Sequence, residues 1–189
     1  MRTGPCCFML LCLCSAPLMG GEGKAGAEAK YFTITPPEGW TRVADASALS
    51  DGERKVFGDD YTGPVSRDVQ SRISVKYYAP GNLLHKTPER FIKLHSRPPF
   101  GVNTDKKVYG PVKNGTAGNR HAKVFERKVY EYVPAGAVNP EKVLVYEHFA
   151  VVPAKQGFYV LRYTAQADVA KANYKAYEAV LASFRALVK

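Results

Sequence analysis

The sequence predicts an α+β fold, an antiparallel β-sheet flanked by helices with a long C-terminal helix packed on the sheet. Three observations carry this. Several segments alternate apolar and polar residues with a period of two. Two apolar runs near the C-terminus, Lys142–Pro153 and Phe158–Ala165, are separated by a four-residue turn. The final segment repeats its apolar residues with helical spacing.

The elements follow in order. "YFTIT" (Tyr31–Thr35) alternates and reads as a first strand. "PPEGW" (Pro36–Trp40) reads as a turn, because proline fixes φ and glycine tolerates φ > 0. Trp40, the only tryptophan, is expected to anchor that turn on the core, ligand stacking being the alternative. "DGERKVFGDDYTG" (Asp51–Gly63) clusters Asp51, Glu53, Asp59 and Asp60 and reads as a solvated turn. Clustered carboxylates also suit Ca²⁺, but the spacing does not match an EF-hand loop.

"RISVKYY" (Arg72–Tyr78) puts Ile73, Val75 and Tyr77 on one face and Arg72, Ser74 and Lys76 on a wet one. In "HKTPERFIKLHSRPP" Thr87 is placed to cap a short helix that begins with Pro88 and Glu89 and ends before Pro98-Pro99. "KVYGPV" (Lys107–Val112) and "RHAKVFERKVYEYV" (Arg120–Val133) read as strands, with Asn114-Gly115 as the turn between them. "KVLVYEHFAVVP" (Lys142–Pro153) is apolar on both faces and should be central. "AKQG" turns the chain at Gly157, and "FYVLRYTA" (Phe158–Ala165) pairs back antiparallel. In "ADVAKANYKAYEAVLASFRALVK" no Gly or Pro interrupts a helix over 167–189. Tyr177, Val180, Leu181, Phe184 and Leu187 form its apolar stripe.

Residues 1–27 read as a signal peptide. Arg2 supplies positive charge, "CCFMLLCLCSAPLM" (Cys6–Met19) is the apolar run, and Ala25 and Ala27 mark a cleavage site. The run is short for a transmembrane span. An uncleaved anchor or a misplaced start is the alternative. Residues 28–189 then form one domain, with 28–30 ending a flexible tether. All four cysteines, Cys6, Cys7, Cys12 and Cys14, fall in the leader. The mature domain therefore has no disulfide, no thiol nucleophile and no thiolate metal ligand. Leu11 and Leu13 precede Cys12 and Cys14, which fits lipidation poorly. The expected location is exported, periplasmic or extracellular, with membrane association only through the N-terminus.

The two ends of the chain resemble the PsbP-like (Mog/PsbP-type) group of exported domains. "FTITPPEGW" resembles that group's opening strand and Pro-x-Gly-Trp turn. "GFYVLRYTAQADVAKANYKAYEAVLASFRAL" resembles its closing strand and helix, including the late Ser183-Phe184. The resemblance covers about a third of the mature chain. It implies an α/β/α sandwich, secreted or lipid-anchored proteins, and mostly non-enzymatic accessory or binding roles. No functional residue carries over.

Familiar catalytic signatures are absent from the sequence: no G-x-S-x-G, H-E-x-x-H, P-loop or G-x-G-x-x-G occurs. His85 and His95 are ten residues apart, not the i, i+4 spacing of two ligands on one helix face. Glu147 and His148 are adjacent in a strand and point to opposite faces. No catalytic residue, metal or cofactor is expected. Charge is more informative. The chain carries +10, and residues 31–189, with 24 basic against 15 acidic side chains, keep +9 of it. From His85 to Lys128, 11 basic residues face three acids. Arg90, Lys93, Arg97, Lys106, Lys107, Arg120, Lys123 and Arg127 are the candidate anion-binding residues. A solubilising face is the bland alternative. The expected function is a non-catalytic exported accessory or binding protein whose partner is an anionic envelope component or an acidic protein; export argues against nucleic acid. The rival readings are an enzyme assembled from distant residues such as Glu126, Glu147, His121 and Tyr130, and a structural envelope lipoprotein.

Overall fold

A computed structural model describes residues 28–44, 47, 49–99 and 108–188. The expected signal peptide, and Lys106 and Lys107 of the basic set, lie outside the described residues. The described elements run in the order α1 (Glu28–Tyr31), β1 (Phe32–Thr33), β2 (Thr41–Val43), α2 (Asp51–Arg54), β3 (Val56–Ser66), β4 (Val69–Tyr78), α3 (Pro88–His95), β5 (Lys113–Ala117), β6 (Arg120–Val133), β7 (Glu141–Pro153), β8 (Phe158–Gln166), α4 (Ala170–Ser183) and β9 (Arg185–Ala186).

Seven strands form one antiparallel sheet in the order β2-β3-β4-β8-β7-β6-β5. The β7–β8 hairpin predicted from the two apolar runs lies at its centre, with Ala150 opposite Leu161 and Pro153 opposite Phe158. Gly157 takes φ 78° at the turn, and a Cβ there would meet the Tyr78 carbonyl. β4 alternates as predicted: Ile73, Val75 and Tyr77 are buried, while Arg72 is exposed.

The architecture is α+β, but the α/β/α sandwich with a long closing helix is corrected. α4 stops at Ser183, where Phe184 turns extended (φ −58°, ψ 131°). Arg185 and Ala186 then pair with Thr33 and Phe32 in a separate two-stranded ribbon. Of the expected apolar stripe, Tyr177, Val180 and Phe184 are fully buried and Leu181 is half-buried; Leu187, beyond the helix, is about half exposed. α4 covers one sheet face through Ile73, Val75, Tyr159, Leu161 and Tyr163. On the opposite face, among the described residues, the eight-residue α3 covers part of the sheet, burying Phe91 over Val56, Tyr78, Phe149 and Phe158. Thr87 caps α3 by accepting from the Arg90 N–H at 3.2 Å.

Four local expectations change. Of Tyr31–Thr35, Tyr31 closes the helical turn α1 and only Phe32–Thr33 are strand. Asp51–Gly63 is not a solvated turn: it holds α2, capped by Ser50 and Glu53, and most of β3. Tyr109 and Gly110 make only bridge contacts to β6, so Lys107–Val112 is no regular strand in its described part. Asn114-Gly115 lies inside β5, and the reversal falls at Gly118-Asn119 with Gly118 at φ 54°.

Candidate functional site

The face that α3 leaves open carries a charged stripe set by strand register. Asp60 of β3 lies opposite Ser74 of β4, and Ser74 lies opposite Arg162 of β8. Arg162 lies opposite Phe149 of β7, whose neighbour on the same face is Glu147, paired with Arg127 of β6. Ser74 donates to Asp60, and the Lys76 ammonium stands 2.7 Å from the other Asp60 oxygen. Glu147 is fully buried and accepts from both Arg127 and Arg162. Burial alone would raise its carboxyl; the Arg162 and Arg127 guanidiniums outweigh that and hold it below the ordinary range. Both guanidiniums also lie over the Phe149 ring, 5.4 and 5.6 Å from its centroid.

Beside this stripe is a trough of about 280 Å³. Asp60, Arg72, Ser74, Lys76 and Arg162 form its polar part, and α3 contributes Phe91 and His95 to the wall. With Glu147 and its second partner Arg127 counted, four cations stand against two carboxylates. The His95 ring packs 4.2 Å from Phe91 and 5.6 Å from Phe149, and neither of its nitrogens has a hydrogen-bond partner among the described residues. Burial, then the Arg127 charge, pushes its pKa down to about 4, so the ring is neutral at pH 7. His85, 5.5 Å from His95, is lowered by burial and by Arg90. Arg162 Nε is likewise buried without a hydrogen-bond partner, beside the bond that Nη2 donates to Glu147.

The basic residues singled out in the sequence divide into groups. Arg90, Lys93 and Arg97 are exposed on and just beyond α3, three and four positions apart. Lys123 is exposed on β6 and donates to Asn114 at 2.7 Å. Arg120, at the start of β6, donates to the Pro153 carbonyl at 3.2 Å. Arg127 is half-buried against Glu147. Arg72, Lys76 and Arg162 were outside that set. The readable signals were the wet alternation of β4 and a lone arginine inside the apolar run of β8.

The four residues of the rival assembled site do not converge. Glu126 faces α4, where it accepts from Tyr146 at 2.7 Å; Glu147 points to the opposite face; His121 and Tyr130 are exposed. His148, as expected, points away from Glu147, its ring 5.4 Å from Tyr177. Among the described residues, no three His, Cys, Asp or Glu side chains are grouped to hold a metal, so the Asp51–Asp60 acids form no such cluster. No described helix is long and apolar enough to cross a membrane.

No family model matches the chain, and no curated protein does. Solved structures align at low identity. A chain from Bacteroides thetaiotaomicron VPI-5482 is 13% identical over 82% of this chain, with a TM-score of 0.47; this chain spans 44% of its length. LpqN, involved in cell envelope biogenesis of Mycobacterium tuberculosis, is 14% identical over 86% of both chains, with a TM-score of 0.48.

Proposed function

We propose that this is a non-catalytic, exported binding or accessory protein that engages an anionic partner through the α3 side of its sheet. The observation that carries the reading is the surplus of positive charge in one trough, where Arg72, Lys76 and Arg162 stand against Asp60 and the Glu147 carboxylate that Arg162 shares with Arg127. Arg90, Lys93 and Arg97 extend positive charge along the neighbouring helix. Positive charge focused in a concavity with apolar walls raises the local concentration of anions. Lys123 adds charge on β6, and the remaining candidates, Arg120, Lys106 and Lys107, belong to the same basic stretch of sequence. Export rests on the leader-like residues 1–27, and the PsbP-like placement on the two end motifs.

The test is titration with phosphatidylglycerol vesicles and with polyglutamate at low and high salt. Binding should weaken steeply with salt. Arg72→Ala, and separately Arg90, Lys93 and Arg97 changed together to Glu, should weaken it without changing the melting temperature. Salt-independent binding, or variants that bind like the parent, would overturn the reading.

A further inference from the structure

The other face of the sheet has an open region that α4 does not cover. Even-numbered residues of β6 and β7 point to the α4 side, as Ala122 and Ala150 in the core under it show. Along this face β6 carries Glu126, Lys128, Tyr130 and Tyr132, and β7 carries Lys142, Leu144 and Tyr146. Register sets Lys128 opposite Tyr146, Tyr130 opposite Leu144 and Tyr132 opposite Lys142. Tyr130 and Tyr132 are 55% and 59% exposed, and residues two apart on a strand stand about 6.8 Å apart. The Lys142 ammonium lies 4.2 Å from the Tyr130 ring centroid. Where this face meets α4 a groove of about 510 Å³ opens, with Tyr146 and Tyr174 in its walls and Lys171, Lys175 and Glu178 along the helix side.

We propose that this face binds an acidic oligosaccharide, a chain of pyranose rings bearing carboxylates. Exposed tyrosines in a row give flat apolar surfaces for the C–H faces of sugar rings while their hydroxyls stay available. Lys128, Lys142, Lys171 and Lys175 outnumber Glu126 and Glu178, so the surface is complementary to a negative ligand. The two glutamates choose among anions. Either anion is repelled by these carboxylates, but the free hydroxyls of a uronate ring also donate to them, whereas a deoxynucleotide backbone has no such donors within the chain. The face is separate from the trough on the α3 side, and this proposal does not depend on that one.

The experiment is calorimetric titration of the full chain with galacturonate hexamers, with neutral glucan hexamers and oligo(dT) as comparators. The uronate should bind with the highest affinity. Changing Tyr130 and Tyr132 together to Ala should weaken it roughly tenfold, the scale expected for two lost ring contacts. Both side chains are exposed, so circular dichroism should be unchanged. The tyrosine double variant should keep its parent affinity for phosphatidylglycerol vesicles, which separates this face from the trough. No uronate binding, equal binding of the neutral glucan, tighter binding of oligo(dT), or an unaffected tyrosine double variant would each overturn the proposal.

Discussion

Arg162 of β8 reaches the fully buried carboxylate of Glu147 on β7, and Arg127 reaches the same carboxylate from β6. Three adjacent strands are thus joined by one charge. Removing it leaves two guanidiniums facing each other over Phe149. Glu147→Gln is expected to cost about 3 kcal/mol, the low end for a broken buried pair because Arg162 keeps contact with water. Urea denaturation of parent and variant measures it.

The same carboxylate gives an acid limit. Its folded pKa lies below the ordinary 4.5, so its stabilisation is complete above that value and is lost as pH falls through the lower folded one. Glu147→Gln should therefore narrow its gap to the parent as pH drops below about 4.5. A constant gap down to pH 2 would contradict the ion pair.

His95 acts in a higher window. Its imidazole takes a proton near 6.5 when unfolded but only near about 4 when folded. The unfolded chain binds more protons between those values, so stability declines as pH falls from 6.5 to 4. His95→Phe should remove on the order of 2 kcal/mol of that decline, after a discount for the ring's partial exposure. Urea midpoints at both ends of the window, for parent and variant, provide the check.

Gly118 turns β5 into β6 directly beneath the end of α4. Its N–H donates to the Leu181 carbonyl at 2.6 Å, and a Cβ would fall 1.9 Å from the Phe184 carbonyl oxygen. Gly118→Ala must move α4 or the hairpin, and adds strain at φ 54°. A loss of about 2 kcal/mol or more is expected, together with faster amide exchange at Phe184.

Thr87→Ala removes the acceptor for the Arg90 N–H and should cost about 1 kcal/mol, read as a lower melting temperature. Phe184→Ala, at a fully buried ring, should cost about 3–5 kcal/mol by the same measurement.

Much of the sheet was legible because its signals are local. The β7–β8 hairpin, the alternation of β4 and the cap of α3 each sit within a few consecutive residues. β3 was hidden because Asp59 and Asp60 look like turn residues until their partners are known. Arg42 holds Asp59, and Lys76 holds Asp60, from other strands. Asn114-Gly115 carries a turn signature, yet β6 pairs with it, and Gly118 makes the reversal instead. The helical stripe runs on in sequence past Ser183 because Phe184 is apolar and buried either way; the helix ends where Arg185 and Ala186 pair with β1, a partner far away in sequence. The trough was half visible: Arg72, Ser74 and Lys76 stood on one face, but Arg162 joins them only through register.

The β1–β9 ribbon brings the first and last described strands side by side, with Phe32 opposite Ala186 and the Leu187 N–H donating to the Tyr31 carbonyl at 2.9 Å. Both ends of the domain therefore leave from one pole. Tyr159 of β8 ties both of them down, its hydroxyl donating to the Tyr31 carbonyl at 2.8 Å and accepting from the Val188 N–H at 3.0 Å, so tension between the ends would load this clasp and the central strand together.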